Sequence, residues 1–83
     1  RSSIEISDVV YSGLPIIDVP LKLGGRIRHS AREADCIARP SETADKLIVE
    51  FDQPVSAPVA GQSCVLYHDN AIVASGFIED SFN

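Results

Sequence analysis

Three basic side chains occur at even-numbered positions of one short stretch, at Lys22, Arg26 and Arg28. Alternate residues of a β-strand share one face, so a strand here would present all three on the same side. On such a face they can bind nucleic-acid phosphates or an acidic face of another domain. The same pattern also fits a solvated strand face whose cations pair with Glu33 or Asp35 on the next strand. The three residues are therefore the predicted RNA-binding or docking residues, with the solvated face as the alternative.

Two cysteines, Cys36 and Cys64, are too far apart in the sequence to form a Cys-x-x-Cys motif. Each alternates with small or apolar residues, which is typical of a core side chain, whereas a nucleophile needs a thiolate stabilised by nearby positive charge. For Cys36 a reactive thiolate stays open as an alternative to a core role, because the basic stretch 26–29 is expected beside it. A disulfide between the two is geometrically feasible in a barrel but uncommon in the cytosol.

The histidines and glycines give no catalytic pattern. His29 ends a predicted strand and His68 precedes a predicted turn, and a metal site would need four convergent ligands, so we predict solvent-facing roles and no metal. The five glycines lack the phosphate-binding spacing with lysine and serine or threonine. No nucleophile, base and orienting group can be assembled, so the chain alone is expected to have no catalytic residues.

Composition indicates one small domain, since the chain has 83 residues. It has no apolar run near the roughly 18 residues of a membrane helix, so no membrane partner is expected. The chain has no methionine and starts within a strand pattern, so we expect residues 1–83 to be a single domain from a larger protein.

The net charge of −5 is uneven, with +1 over residues 1–39 and −6 over 40–83. An acidic domain binds nucleic acid poorly, so DNA is not an expected partner and any RNA contact falls to the basic strand.

Apolar and polar residues alternate along most of the chain, which predicts β-strands over residues 3–11, 21–29, 33–39, 46–52, 63–68 and 71–78. Residues 16–20, bracketed by prolines, fit either an edge strand or a single helical turn. Gly24-Gly25 suggests a bulge or bend. Breaks every ~8 to 12 residues favour a sandwich or barrel. The small inward set Ala34, Cys36 and Ala38 suits a closed barrel.

Two turns have residues with specific backbone roles. Asp69-Asn70 separates two strand patterns, and both residue types tolerate the positive φ of a tight hairpin. Gly61 permits a backbone conformation that a side chain would strain, and the Gln62 amide can bond to backbone groups of the turn. Gly61 and Gln62 are therefore the predicted structural turn residues.

One set of residues keeps a characteristic order and spacing: Val49-Glu50-Phe51-Asp52, Pro54, Ala57, Gly61-Gln62, Val65, Tyr67, Asp69 and Gly76-Phe77-Ile78. It is preceded by Arg26-Ile27-Arg28-His29 and Ala34-Asp35-Cys36. Over roughly residues 21–78 this set resembles the C-terminal β-barrel of the bacterial tRNA-specific 2-thiouridylases, formerly named tRNA (5-methylaminomethyl-2-thiouridylate) methyltransferases. The chain departs at Ala60, where that family usually has proline, and at Ala74-Ser75-Gly76, where the family has more glycine.

The resemblance implies a fold and a parent activity. It implies an all-β, small closed antiparallel barrel of about six strands, similar to domain 2 of translation elongation factors. Members of the family adenylate the C2 oxygen of a wobble uridine and then install sulfur from a cysteine persulfide. The resemblance places ATP, magnesium and the catalytic cysteines in other domains, so no cofactor is expected in this chain. The lack of a metal or redox cysteine motif makes a reduced, cytoplasmic setting the default expectation.

The leading hypothesis is a non-catalytic accessory domain of a tRNA-modifying enzyme that assists tRNA binding and docks the catalytic domains of the same polypeptide. Tyr11 or Tyr67 could add a stacking surface for unpaired bases, although most of the five aromatic residues are expected in the core. The alternative is a protein-interaction barrel of a translation-factor or transferase type that has no RNA contact. The residue spacing favours the first hypothesis and the acidic balance favours the second.

Overall fold

The computed structural model describes residues 2–13, 16–27, 32–43, 45–54 and 59–82. They form six β-strands, of which β2 ends at Arg26, before its predicted limit of residue 29, and β6 runs past its predicted limit of residue 78. The strands are β1 (Ser2–Tyr11), β2 (Leu21–Arg26), β3 (Ala34–Pro40), β4 (Leu47–Phe51), β5 (Ser63–His68) and β6 (Ala71–Phe82). Within the described residues no helix is long and apolar enough to cross a membrane.

The strands close into a barrel in the order β1-β4-β3-β2-β5-β6, with β6 returning to pair with β1. Every neighbouring pair is antiparallel. The predicted closed antiparallel barrel of about six strands is confirmed. Its likeness to domain 2 of translation elongation factors stays a prediction.

Alternation along the strands fills the interior of the barrel. In β4, Leu47, Val49 and Phe51 are buried, as their spacing predicts, and Cys36 and Ala38 of β3 are the small buried residues beside them. The buried apolar set is Ile4, Ile6, Ile17, Leu23, Ile27, Cys36, Ala38, Leu47, Val49, Phe51, Cys64, Leu66, Val73, Ala74 and Ile78.

The β2 glycines do not form the predicted bulge, because the register with β3 runs unbroken from Leu21 to Gly25. Gly25 instead leaves room for core side chains, because a methyl group at this position would lie too close to them, at 3.0 Å from the Phe51 ring and 3.1 Å from Cys36 Sγ. The irregularities lie elsewhere. The β1–β6 ladder shifts between Ser7 and Val10, and Asp8 in this bulge has a φ of 53°.

Residues 16–20 form neither the edge strand nor the helical turn that the sequence left open. The segment is an irregular connection that places Ile17, only 2% exposed, in the core, while Ile16 and Val19 are more than half exposed. One buried side chain holds the segment against the barrel without strand pairing. β6 also exceeds its predicted limit of residue 78, because its last residues continue the ladder with β1 as far as Phe82.

The β5–β6 hairpin has the predicted turn. Asp69 and Asn70 have φ values of 50° and 68°, and the two strands pair directly on either side of them. Positive φ at both central residues matches the right-handed twist of the flanking strands. This local geometry brings the outer faces of β5 and β6 side by side.

Candidate functional site

The predicted basic strand lies on the outer surface of the barrel. Lys22 is exposed and Arg26 is half-buried, and both point away from the core that Leu23 and Ile27 enter from the alternate positions. Arg28, the third predicted residue, lies outside the described residues, as does His29. The structure therefore places two of the three cations on one face of β2.

Arg26 packs against an aromatic ring of the next strand. Its guanidinium carbon lies 5.2 Å from the centroid of the Tyr67 ring. The β2–β5 register pairs Arg26 with Val65 and Gly24 with Tyr67, so the arginine and the tyrosine are diagonal neighbours. A guanidinium at this distance is attracted to the ring face. The contact orients the arginine side chain on the surface.

The Arg26 side chain is not saturated by hydrogen bonds. Its Nε is buried and has no hydrogen-bond partner among the described residues. Arginine has five N–H donors in a planar fork that matches phosphate geometry. Arg26 is thus a cation held on a tyrosine ring, with donor capacity beyond the contacts that the described residues provide.

Acidic groups share this surface. The Glu33 carboxylate covers Gly24, because a methyl group at that position would collide with it. Lys22, Glu33, Asp35 and Tyr67 help to line a cavity of about 220 Å³. Among the described residues no ion pair joins Lys22 or Arg26 to Glu33 or Asp35, and the residue opposite Lys22 is Ile37. The face therefore has mixed charge, and within the described residues Lys22 and Arg26 do not form the cross-strand pairs of the alternative interpretation, which stays untested for Arg28.

Both cysteines are core residues. Burial raises the pKa of the Cys36 thiol from 9.0 to about 12, and the neighbouring Cys64, Asp52 and Asp35 add to the effect. Burial alone raises the pKa of Cys64 to about 12. Cys36 points inward, toward the carbonyl oxygen of Leu23 at 3.5 Å, whereas Arg26 points outward. The basic strand therefore does not activate Cys36, and neither thiol forms appreciable thiolate at neutral pH.

The described residues show no cluster of metal-ligating side chains. They include no group of three or more histidine, cysteine or acidic residues placed to hold a metal ion. Gly24, Gly25 and Gly76 lie within strands, and Gly61 lies in a turn between strands. None of these glycines precedes a helix N-terminus, the usual setting of a nucleotide phosphate loop.

The glycine-glutamine turn is held by backbone and side-chain hydrogen bonds. Gly61 has a φ of 93°, and its N–H donates to Ile78 O at 2.8 Å. Ile78 N–H donates to Gln62 O at 2.7 Å, which joins the turn to β6. The Gln62 side-chain oxygen accepts from Val59 N–H at 3.1 Å. The turn thus fixes the start of β5 against β6.

Sequence reasoning missed the exposed apolar residues of the barrel. Phe77 and Ile72 of β6 are each 51% exposed, so the expectation that most aromatic residues lie in the core fails for Phe77. Tyr11 and Tyr67 are half-buried, and Phe51 is the described aromatic side chain that is fully buried. Once the hairpin register is known, strand parity would identify Phe77 as outward-facing.

The sequence matches known proteins over most of its length. Residues 1–78 match the family model described as the aminomethyltransferase beta-barrel domain. The chain is 35% identical over 72 residues to a tRNA-specific 2-thiouridylase MnmA of Acetivibrio thermocellus, covering 87% of this chain and 20% of that protein. It is 32% identical over 83 residues to that of Symbiobacterium thermophilum, covering 100% of this chain and 21% of that protein. The chain thus spans about a fifth of the length of these relatives.

Proposed function

Because the chain belongs to the family of aminomethyltransferase β-barrel domains, found in tRNA-specific 2-thiouridylases, we propose that it is a non-catalytic accessory domain of a tRNA-modifying enzyme. In this role it assists tRNA binding and docks the catalytic domains of the same polypeptide. The parent enzyme would act in the cytoplasm, with ATP and magnesium bound by domains other than this one. DNA and membranes are not partners in this proposal.

The tRNA role rests on the contact of the Arg26 guanidinium with the Tyr67 ring of β5. Arg26 lies on β2, the strand that also bears Lys22. An arginine held on a tyrosine ring offers a phosphate donor and an aromatic surface at one place. Lys22 supplies a second, exposed charge on the same face. Contacts of this kind position RNA through its backbone without reading sequence.

A second function has its own support. The net charge is −5, and the Glu33 carboxylate lies over Gly24, within the strand that carries Lys22 and Arg26. Negative charge there weakens phosphate attraction. These observations favour a barrel that binds only protein. An NMR titration with tRNA separates the two functions.

The tRNA role is tested by an amide NMR titration of the chain with unmodified tRNA at two salt concentrations, with a DNA duplex as control. We expect salt-sensitive shifts centred on β2 and on Tyr67, weaker with DNA. Arg26→Gln should weaken tRNA binding about fivefold, because it removes a cation from the contact. Arg39→Gln is the matched control, since Arg39 is an exposed arginine on β3. If no shifts occur at low salt, or if both variants weaken binding equally, the tRNA role is wrong.

A further inference from the structure

Among the described residues, exposed side chains without charge cluster on one part of the outer surface of the barrel. It is formed by Val10 of β1, Val65 of β5, and Ile72 and Phe77 of β6, which we call the apolar face, and Tyr67 of β5 marks its border toward β2. Val10 is 63% exposed, and Ile72 and Phe77 are each 51% exposed. Val65 and Tyr67 are half-buried between them and β2.

Strand register makes this face continuous. Ser75 of β6 pairs with Val10 on one side and with Val65 on the other. Ile72 pairs with Tyr67. Side chains at directly opposed positions of antiparallel strands have Cβ atoms about 4.5 to 5.5 Å apart. Phe77 follows Ser75 on the same strand and lies between Ser7 and Ser63. The members of the apolar face are therefore neighbours on three adjacent strands, with serines between them.

Charge is concentrated on the other outer surfaces. The outward positions of β2, β3 and β4 carry charged residues, namely Lys22, Arg26, Asp35, Arg39 and Glu50. At the border of the apolar face lie Arg26 on the β2 side and the Lys46–Glu79 ion pair and Asp8 on the β1 side. A charge-poor centre that includes aromatic residues and has a charged rim is the composition of a protein interface. It offers little attraction to phosphates.

The area of the apolar face favours a domain on the same polypeptide as the partner, over a separate protein or a second copy of the chain. Its three most exposed members present roughly 300 Å² of apolar surface, taking about 200 Å² for a large side chain. A stable interface between separate proteins buries about 800 Å² on each partner. Two copies of this chain would also bring together net charges of −5. A domain on the same polypeptide needs less area, because tethering raises its effective concentration to about the millimolar range.

The relatives are long enough to contain another domain on the same polypeptide. The matched segment is 20% of the Acetivibrio thermocellus protein and 21% of the Symbiobacterium thermophilum protein, so the rest of each lies outside the match. We propose that the apolar face docks on a charge-poor apolar surface of a domain joined to the barrel in the same polypeptide. This inference rests on the proposed function and assigns its docking role to β5 and β6, leaving β2 for tRNA.

The test is thiol accessibility in two settings. Single variants Ile72→Cys and Phe77→Cys are made in this chain and in a chimera in which the chain replaces the matched 72-residue segment of the Acetivibrio thermocellus protein. Arg39→Cys, on the charged side, is the control. The native thiols of this chain are buried and have raised pKa values, so they react slowly with a maleimide at neutral pH. The chimera without an introduced cysteine is labelled in parallel, and the signal from the thiols of its other domains is subtracted. We expect labelling at least tenfold slower in the chimera at positions 72 and 77, and unchanged at position 39.

Equal labelling rates at positions 72 and 77 in the folded chimera would overturn the docking proposal. A second measurement needs no chimera: sedimentation equilibrium of the chain at about 0.5 mM should show a monomer, since the face is too small for a stable dimer. A dimer that Phe77→Ser dissociates would assign the face to a second copy and also overturn the proposal. Adding tRNA to an Asp35→Cys chimera tests the tRNA role separately, because Asp35 is exposed and lines the same cavity as Lys22 and Tyr67 without being a proposed tRNA contact. Slower labelling with tRNA supports the tRNA role and unchanged labelling contradicts it, so the two proposals can fail independently.

Discussion

Glu33 determines how strongly the basic strand can attract a phosphate. Its carboxylate lies over Gly24, between the positions of Lys22 and Arg26 on β2. No described cation lies within ion-pair distance of it, so its charge opposes an approaching phosphate. We predict that Glu33→Gln tightens tRNA binding by about two- to threefold at low salt, measured by fluorescence anisotropy.

The salt dependence of that effect is part of the prediction. An exposed charge is screened within about 8 Å at physiological ionic strength, so the gain should shrink as salt rises. Glu42→Gln is the matched control, since Glu42 is an exposed glutamate in the loop after β3. Weaker binding of Glu33→Gln, or an equal gain in the control, would mean that this carboxylate does not oppose tRNA at β2.

Sequence could predict which face each of these residues occupies, but not which side chains meet. Parity along β2 was enough to place Lys22 and Arg26 outward, because alternation is a local property of a strand. The contact of Arg26 with Tyr67 depends on the β2–β5 register, which joins segments distant in the chain. Barrel closure and turn geometry determine this register, so it cannot be predicted from the local pattern of residues.

At the scale of elements, the Gly61 turn carries a direct stability prediction. Gly61 has a φ of 93°, and a methyl group there would meet no atom within 4 Å. Gly61→Ala therefore costs stability through backbone conformation alone, about 1 kcal/mol or more. Urea unfolding followed by circular dichroism measures it. Gly61→Asn should recover part of the loss, because asparagine adopts positive φ more readily than alanine. An unchanged midpoint for Gly61→Ala would contradict this account.

The same scale shows why some elements could be predicted and others could not. The β5–β6 hairpin was predictable because Asp69 and Asn70 carry the turn signal themselves. Residues 16–20 were not, because a single contact of Ile17 with the core holds them as an irregular connection. No glycine marks the bulge at Asp8 in the sequence. The bulge lies where β1 stops pairing with β4 and continues to pair with β6.

At the scale of the whole molecule, charge segregation along the sequence is not retained in space. The chain divides into a slightly basic first part and an acidic second part. In the barrel, however, β4 lies between β1 and β3, and β5 lies beside β2. The neighbouring strands β6, β1 and β4 carry only acidic charges, and β2, between β3 and β5, carries only basic ones. The order of the strands in the chain therefore does not reveal which charges become neighbours in the barrel.

The barrel interior gives the stability of the whole molecule a specific alkaline dependence. Cys36 and Cys64 have pKa values raised from 9.0 to about 12 in the folded protein, with burial as the main cause. Between these pH values an unfolded thiol loses its proton while the folded thiol keeps it. Raising the pH therefore favours unfolding, by about 1.4 kcal/mol per pH unit for each thiol. Below pH 9 the contribution is constant.

Urea unfolding at pH values from 8 to 10.5 measures this dependence, with Cys64→Ala and Cys36→Ala as comparisons. Each variant should lose some stability at pH 8, because it removes a buried sulfur from a packed interior. Above pH 9, however, the free energy of unfolding should fall less steeply in each variant than in the parent chain, by about 1.4 kcal/mol per pH unit. Lysine and tyrosine also titrate in this range, but they are shared by all three proteins and cancel in the difference of slopes. Parallel curves would mean that the buried thiols ionise equally in the folded and unfolded states, which would contradict this account.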